Sequence, residues 1–363
     1  MNIGIVGGGQ LARMLALAGI PLGVRCTVLD PAPDACAGVA ARLLRGAYDN
    51  PEGLATLARE CDAVTFDFEN VPAGAAHWLA ERLPVAPPPQ ALACAQDRLS
   101  EKTLFRELGI DTPAFATVDS LEGLRAAVAQ VGLPAILKTR RLGYDGKGQY
   151  RLHNDADIGL AWEALGGVPL ILESLVLFQR EISLLAARGR DDALAFYPLV
   201  ENRHREGILR LSLAPHDAPA LEKAAREAVA ALLRRLDYVG VLAVEFFVHR
   251  DRLLANEMAP RVHNSGHWTI EGAETSQFEN HLRAVAELPL GDTGVHGHSA
   301  MVNCIGAFPE LSRSLALGAH VHDYGKASRP GRKVGHLTLR ADDRRALEAG
   351  LAPLLALVAE TGG

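Results

Sequence analysis

The first third of the chain alternates short apolar runs with segments of helical character. Residues 3–6, 24–29 and 63–68 are the apolar runs, and helix-like segments begin near Gln10 and Pro51 and again after the third run. Parallel strands need a crossover between them, and a helix is the usual crossover. This order therefore predicts an α/β domain, a parallel sheet with helices on its faces.

The length of the chain predicts more than one folding unit. At 363 residues, the chain exceeds the usual size of a single core. A proline-rich stretch at 84–89 and a glycine-rich stretch at 291–297 interrupt the helix and strand patterns. We expect a Rossmann-like α/β domain at 1–95, a mixed α+β domain at 96–292, and a small β-rich domain with a final helix at 293–363.

Charge and cysteine content narrow the classes of partner. The formal net charge of -6 gives no basic surface for nucleic acid or for an anionic membrane, so neither partner is expected. The five cysteines lie far apart without a Cys-x-x-Cys pair, which favours a reducing cytoplasm over a disulfide framework. The chain starts directly with a strand pattern and lacks a membrane-length apolar run, so neither a secretory signal nor a membrane span is expected.

A first glycine-rich loop follows the first apolar run. Residues 7–12 read Gly-Gly-Gly-Gln-Leu-Ala, and Asp30 ends the next run about twenty residues later, a spacing typical of dinucleotide binding. Two other interpretations remain open. The glycines also suit a tight strand-to-helix turn, and the start of the helix also suits a phosphate or carboxylate.

A second glycine-rich loop follows a strand that carries a single lysine. Lys138 lies among apolar residues at 134–140, and residues 143–149 contain three glycines. A fixed cation beside flexible backbone N–H groups suits a triphosphate, and such a loop can close as a lid. A plain hairpin turn at Asp145 and Gly146 is the alternative, although a hairpin does not require three glycines.

Two acids interrupt two neighbouring apolar strands. Glu245 lies within 241–248 and Glu257 within 253–259. A three-residue turn at 250–252 places these carboxylates directly opposite each other, whereas a two-residue turn places Asn256 opposite Glu245. Paired carboxylates suit Mg²⁺, and the histidine pattern disfavours zinc. The alternative is a pair of separate ion pairs, for instance with Arg261.

Several segments together resemble one known family. They resemble, in order along the chain, motifs of the ATP-grasp enzymes and, within them, of the 5-(carboxyamino)imidazole ribonucleotide synthetases of bacterial and fungal purine biosynthesis. The block Asn-Glu-Met-Ala-Pro-Arg-Val-His-Asn-Ser-Gly-His is the most specific of them. The matching segments are residues 7–11, 67–71, 140–149, 180–183, 256–267, 275–279 and 329–336.

The resemblance implies an ATP-grasp fold that follows the Rossmann-like (pre-ATP-grasp) domain and precedes the C-terminal domain. It further implies a ligase with ATP as co-substrate and Mg²⁺, or alternatively Mn²⁺, as cofactor. The implied reaction carboxylates the exocyclic amine of 5-aminoimidazole ribonucleotide with bicarbonate, through carboxyphosphate. A homodimer that binds only small molecules is implied as well.

The resemblance also implies roles for residues around the nucleotide. Arg98 and Lys138 match phosphate contacts, Glu181 matches the ribose ligand, and His204 approaches the nucleotide. Asn256 helps Glu257, which carries the metal together with Glu245. The lid and the hinge that reads adenine complete the set, with Gly143, Tyr144, Asp145, Gly146, Lys147, Gly148 and Gln149 in the lid and Glu173, Ser174, Leu175 and Val176 in the hinge.

For the second substrate, the resemblance implies a group that surrounds the ribonucleotide and bicarbonate. Lys326 and Arg332 match residues that grip its 5′-phosphate. Asp145 is expected to accept the amine proton, His263 to orient substrate, and Lys138 to offset charge. The remaining members of the group are Gln10, Glu69, Tyr144, Lys147, Asn264 and Ser265.

Three positions depart from the family pattern, and rival functions remain. Asp67 stands where Glu is more frequent, Leu142 where Gly is frequent, and Lys147 where Arg is frequent, which removes a bidentate fork. One rival keeps the ATP-grasp core but changes the acceptor, as in a formate-using transformylase or a biotin-type carboxylase. The others are an NAD-binding oxidoreductase and a nucleotide sensor without catalysis.

Overall fold

A computed structural model describes residues 1–143 and 147–361. Its N-terminal unit is a parallel four-stranded sheet in the order β3-β2-β1-β4, which confirms the predicted α/β pattern. The short edge strand β3, with polar residues at both ends, was not predicted. The elements are β1 Asn2–Val6, α1 Gln10–Gly19, β2 Arg25–Asp30, β3 Arg42–Arg45, α2 Pro51–Glu60, β4 Ala63–Phe66 and α3 Ala73–Ala80.

Two short helices link this unit to the rest of the chain, α4 Pro89–Ala95 and α5 Arg98–Glu107. Asp97 separates them because its backbone is extended and its side chain accepts a hydrogen bond from Leu99 N, which caps α5. The same carboxylate binds Arg140 at 2.7 Å. The cap therefore ties the start of α5 to the strand that carries Lys138.

A small antiparallel sheet with two helices follows. Its strand order is β5-β8-β6-β7, and Lys138 lies near the end of β6, paired with Gln149 at the start of β7. The predicted strand and glycine loop are thus neighbours in one hairpin. The elements are β5 Phe115–Val118, α6 Leu121–Val131, β6 Ala135–Thr139, β7 Gln149–Leu152, α7 Asp157–Leu165 and β8 Leu170–Ser174.

The largest sheet runs through the remainder of the chain in the order β14-β13-β9-β11-β12-β15-β17-β16, with β10 paired to β9. Antiparallel pairing of β12 with β15 carries the sheet into the C-terminal part of the chain. The elements are β9 Arg180–Arg188, β10 Leu194–Phe196, β11 Val200–Arg205, β12 Ile208–Ala214, α8 Pro219–Arg235, β13 Gly240–His249, β14 Arg252–Ala259, α9 Thr269–Gly272, α10 Gln277–Val285, β15 His298–Ile305, α11 Leu311–Ala316, β16 His320–Asp323, β17 Lys333–Ala341 and α12 Arg344–Ala359.

The hairpin of β13 and β14 decides between the two turn lengths that the sequence left open. His249 pairs with Arg252, so the turn has two residues, Arg250 and Asp251, with φ of 50° and 57°. Glu245 nevertheless pairs with Glu257, because the register shifts by one between Glu245 and Phe246. A two-residue turn alone would have placed Asn256 opposite Glu245, and a β-bulge restores the pairing of the two acids.

The bulged residue is Asn256. Phe246 pairs with Ala255 while Glu245 pairs with Glu257, which leaves Asn256 without a partner on β13. A bulge commonly redirects side chains near a functional site. Here it aligns both acids on one side of the hairpin.

Helix α5 covers the open edge of β14 with two consecutive charged side chains. Met258 N donates to Glu101 Oε1 at 2.6 Å, and Lys102 Nζ donates to Asn256 O at 3.1 Å. Both side chains are buried, and they take the place of the missing neighbouring strand. The strand that carries Glu257 is thus fixed on both sides.

In the described ranges, 1–143 and 147–361, no helix has the length and hydrophobicity needed to cross a lipid bilayer.

Replacement of Lys102 by methionine should lower the free energy of unfolding by about 2 kcal/mol, because a buried acceptor at Asn256 O loses its donor. Chemical denaturation measures the change. Lys223, exposed on α8, provides the matched control, and Lys223→Met should stay within about 0.5 kcal/mol of the parent. Equal effects of the two substitutions would contradict the edge-capping role.

Candidate active site

Two acidic side chains form the centre of the site. The Glu245 side chain is only 14% exposed and that of Glu257 is 44% exposed. Burial, together with the charge of Glu257, raises the pKa of Glu245 to about 7. Like charges held this close favour a bound cation, because a cation relieves both the repulsion and the burial cost.

A cluster of cations lies next to the two acids. Lys138 Nζ is 3.0 Å and Lys102 Nζ is 3.3 Å from Glu173 Oε2. Burial works to raise the pKa of Glu173, but the two lysines and Arg98 lower it to about 2. One fully ionised carboxylate therefore faces three cations. The surplus positive charge suits a polyanion such as a triphosphate.

Arg98 connects the cations to the acids. Its Nη1 lies 3.2 Å from Glu257 Oε2, and its Nη2 donates to Gly143 O at 3.4 Å. One guanidinium thus contacts both an acid of the hairpin and the start of the glycine loop. The structure places Arg98, Lys138, Glu173 and Glu257 in one continuous cluster, as the ATP-binding prediction requires.

The glycine loop is described only at its two ends. Gly148 has φ of +69°, and its carbonyl accepts a hydrogen bond from Thr139 N at 2.8 Å. A Cβ at Gly148 would lie 2.6 Å from Thr139 Oγ1, so this position needs glycine for both reasons. The predicted residues Tyr144, Asp145 and Gly146 lie outside the described residues.

The hinge segment begins at the end of β8. The Glu173 carboxylate is directed toward the lysines, while Ser174 ends the strand and its N–H donates to Ala114 O at 2.8 Å. Leu175 N donates to Pro134 O at 3.0 Å. Residues 174–176 are therefore held beside β6, and the adenine-reading role assigned to them stays a prediction.

Glu181 and His204 face each other across β9 and β11. Glu181 Oε2 is 2.6 Å from His204 Nδ1. Burial would lower the pKa of His204, but Glu181 and Glu245 outweigh burial and raise it. The pair lies close enough to Glu245 and Glu257 for both to raise the pKa of His204, and the ribose contact assigned to it stays a prediction.

His263 also lies beside Glu245, but its pKa is shifted in the opposite direction from that of His204. Its Nε2 is 3.6 Å from Glu245 Oε1, and its Nδ1 is 2.8 Å from Ser265 Oγ. Burial, with a further contribution from Arg261, lowers the pKa of His263 well below its ordinary value. The ring is neutral at physiological pH. It is suited to donate one hydrogen bond and to accept another.

The first glycine loop holds carboxylates of the chain itself. Asp67 accepts hydrogen bonds from Gly9 N at 2.7 Å and Ala12 N at 2.6 Å, and Asp30 accepts from Gly8 N at 2.7 Å. A Cβ at Gly9 would lie 2.3 Å from Asp67 Oδ2. The donors that a dinucleotide would need are already occupied, so the geometry favours the structural interpretation of this loop over NAD binding.

Two contacts join the N-terminal unit to the rest of the site. Lys326 Nζ donates to Gln10 Oε1, and Glu69 forms an ion pair with Arg261. Burial would raise the pKa of Glu69, but Arg261 lowers it to about 2. Arg261 pairs with Glu69, and Glu257 has its ion pair with Arg98 instead, so Arg261 is not the ion-pair partner that the sequence alternative suggested.

Arg332 lies on the same C-terminal segment as Lys326, and its Nη1 donates to Ala327 O at 3.3 Å. Asn264 forms two reciprocal hydrogen bonds with Asn303, at 3.1 and 2.8 Å. The substrate-binding set therefore draws on the first, middle and last parts of the chain.

Sequence reasoning missed two residues of α5. Burial and the charge of Glu257 raise the pKa of Glu101 to about 8, and the fully buried Lys102 binds both Glu173 and the strand edge. Both residues lie on the apolar side of an amphipathic helix. That position was the only signal in the sequence.

Family models match three successive parts of the chain. Residues 1–96 match the ribonucleotide synthetase preATP-grasp domain, residues 103–278 match the ATP-grasp domain, and residues 299–350 match the phosphoribosylaminoimidazole carboxylase C-terminal domain. They confirm the predicted fold class, an ATP-grasp fold between a Rossmann-like domain and a small C-terminal domain.

Similar proteins cover almost the whole chain. N5-carboxyaminoimidazole ribonucleotide synthase of Pseudomonas aeruginosa is 56% identical over 359 residues, 99% of each chain. The crystal structure of N5-carboxyaminoimidazole ribonucleotide synthetase from Thermus thermophilus matches with a TM-score of 0.95 and 57% identity over 98% of each chain. The Aspergillus clavatus synthase, in complex with ADP and 5-aminoimidazole ribonucleotide, matches with a TM-score of 0.91 and 31% identity over 99% of this chain and 98% of that one. The chain therefore belongs to the N5-carboxyaminoimidazole ribonucleotide synthase family of ATP-grasp enzymes.

Proposed function

We propose that the protein carboxylates the exocyclic amine of 5-aminoimidazole ribonucleotide in purine biosynthesis. ATP and bicarbonate react first to give carboxyphosphate and ADP, and attack by the amine then releases phosphate. The observation that carries the proposal is the pair Glu245 and Glu257 beside Arg98, which links it to the cluster of Lys138 and Glu173. Such a site holds the charges of a nucleotide triphosphate in place.

The paired acids fit a hard divalent cation. Carboxylate oxygens are preferred ligands of Mg²⁺ and Mn²⁺, and burial together with the charge of Glu257 raises the pKa of Glu245, a cost that a bound cation would relieve. Glu245 and Glu257 would hold the ion, with Asn256 beside them on the bulge. When bound, the ion neutralises charge on the transferring phosphoryl group.

Residues of the chain orient the nucleotide. Arg98 and Lys138 contact the phosphates, and Lys138 offsets the negative charge that develops during transfer. The hinge at 173–176 reads adenine, while Glu181 and His204 contact the ribose. Much of the catalysis of phosphoryl transfer comes from such positioning and charge neutralisation.

The second step needs a dry site and a proton acceptor. Carboxyphosphate reacts with water, so the lid at 143–149 excludes water while the amine attacks. Asp145 accepts the amine proton in this proposal. The neutral His263 orients the bicarbonate or carboxyphosphate oxygens, because a neutral ring with one N–H is a donor rather than a cation.

The ribonucleotide lies between the N-terminal and C-terminal parts of the chain. Lys326 already contacts Gln10, so the two parts meet where a 5′-phosphate would sit, and Arg332 adds a second cation there. Glu69, Asn264 and Ser265, with Tyr144 and Lys147 of the lid, complete the pocket. We further infer a homodimer that acts in the cytoplasm.

The reaction itself is tested by measuring ADP and phosphate release with ATP, Mg²⁺, bicarbonate and 5-aminoimidazole ribonucleotide. Release should require the ribonucleotide and bicarbonate together, and the carboxylated amine should appear in equal amount. Turnover that accepts formate in place of bicarbonate would instead support the transformylase alternative.

Replacement of Glu245 by glutamine should stabilise the metal-free protein at about pH 8. The folded state raises the pKa of Glu245 from its ordinary value of 4.5 to about 7. Ionisation of this carboxyl group therefore destabilises the fold increasingly as the pH rises between these two values, and glutamine lacks that charge. Thermal unfolding should show a melting temperature higher by a few degrees. The additional stabilisation that Mg·ADP gives the parent protein should be lost.

Glu227, exposed on α8, supplies the matched control. Glu227→Gln should change neither the melting temperature nor its response to Mg·ADP. A Glu245→Gln protein that is destabilised without metal, or that keeps the full response to Mg·ADP, would remove Glu245 from the proposed metal site.

Replacement of Arg332 by alanine should raise KM for the ribonucleotide about 10- to 100-fold, because a charged hydrogen bond to phosphate contributes about 1.5–3 kcal/mol. KM for ATP should change little. Steady-state kinetics measure both constants, with Arg345→Ala on the exposed face of α12 as the control. An unchanged ribonucleotide KM would detach this segment from substrate binding.

A further inference from the structure

A row of buried polar side chains crosses the central strands of the largest sheet. Ser183 lies on β9, Asn202 on β11 and Ser212 on β12, and Asn202 pairs directly with Ser212 in the strand register. Ser183 and Ser212 are fully buried, and Asn202 is 4% exposed. Buried hydroxyl and amide groups destabilise a core unless each finds a hydrogen-bond partner.

These groups form one continuous chain that ends on a histidine of the active site. Ser212 Oγ donates to Asn202 Oδ1 at 2.7 Å, and Asn202 Nδ2 donates to Ser183 Oγ at 2.9 Å. Ser183 Oγ then donates to Ser265 Oγ at 2.8 Å, which lies 2.8 Å from His263 Nδ1. The reaction steps described above do not use Ser183, Asn202 or Ser212.

The number of available protons sets the direction of donation along this series of hydrogen bonds. A serine hydroxyl has one proton, and an amide donates only through its nitrogen. Since Asn202 donates to Ser183, the proton of Ser183 is directed to Ser265, and the proton of Ser265 is directed to His263 Nδ1. That nitrogen must then be an acceptor.

A backbone group supports the same assignment independently. Ser265 N also donates to His263 Nδ1, at 3.3 Å. A ring nitrogen that accepts from two donors carries no hydrogen, so the imidazole is neutral and its hydrogen lies on Nε2. Nε2 is the nitrogen on the cleft side, 3.6 Å from Glu245 Oε1.

We propose that Ser183 and Asn202 are positioning residues that fix His263 as the Nε2–H tautomer. The ring then presents a hydrogen-bond donor to the oxygens of bicarbonate or carboxyphosphate, and His263 does not remove the amine proton. This inference rests on the proposed function for the identity of those oxygens. The tautomer is argued from the hydrogen-bond geometry and does not depend on the identity of those oxygens.

The substitution Asn202→Asp tests the direction of these hydrogen bonds, because it replaces an amide by a carboxylate with almost no change in the shape of the side chain. A carboxylate cannot donate a hydrogen bond, so Ser183 must donate its proton to the carboxylate at position 202. Ser183 must then accept from Ser265, and Ser265 must accept from His263 Nδ1. The hydrogen should therefore move to Nδ1. Nitrogen NMR of the histidine rings at about pH 8 distinguishes the two tautomers, and His263→Gln identifies the signal among the 13 histidines.

Asn303→Asp is the matched control. Asn303 is equally buried, at 1% exposure, on the neighbouring strand β15, but it pairs with Asn264 and not with the chain of Ser183 and Asn202. It should keep the Nε2–H tautomer. A wild-type protein with its hydrogen on Nδ1, or an Asn202→Asp protein that retains Nε2–H, would overturn the proposal.

Kinetics give a second readout that a purely structural role would not produce. Loss of one donor aimed at developing oxyanion charge lowers kcat by on the order of 10²-fold, so Asn202→Asp should lower kcat by that amount with KM for ATP nearly unchanged. A shifted tautomer with an unchanged kcat would refute the positioning role and leave the carboxylation intact. A wild-type protein without carboxylation would refute the proposed function, while the tautomer measurement would stand.

Discussion

The site depends on two like charges that the fold holds together. Glu245 and Glu257 face each other across a hairpin, and burial raises the pKa of Glu245 to about 7. Such a pair is unfavourable without a neighbouring cation, and Arg98 pairs with Glu257 while Lys138 lies near Arg98 beside Glu173. Glu181, His204 and His263 are arranged around this balance of charge.

The sequence predicted the two strands that carry this pair of acids, but it did not reveal the bulge that brings the acids opposite each other. The strands of the hairpin and the pairing of the two acids are confirmed, but the turn has two residues rather than three. A bulge at Asn256 compensates, and alternation of apolar and acidic residues does not reveal a bulge. Asp97 likewise depends on a partner distant in sequence, because it caps α5 and also binds Arg140.

Features that depend on residues far apart in the sequence could not be predicted from local sequence patterns. The first glycine loop fits a dinucleotide motif, yet Asp67 of a later strand occupies its donors. Lys102 reads as an ordinary helical lysine but binds Glu173 and the edge of β14. Ser183 and Asn202 are polar positions in apolar strands, and only the packing of adjacent strands joins them to the active-site histidine. The expected roles of nucleotide and substrate contacts came from the family motifs and not from residue spacing.

A crystal structure of the protein with Mg²⁺ and ADP tests the account most directly. The metal should lie about 2.0–2.2 Å from an oxygen of Glu245 and an oxygen of Glu257, on the side of the hairpin that faces Lys138. A metal bound by the nucleotide alone, with either carboxylate turned away from it, would contradict the central claim.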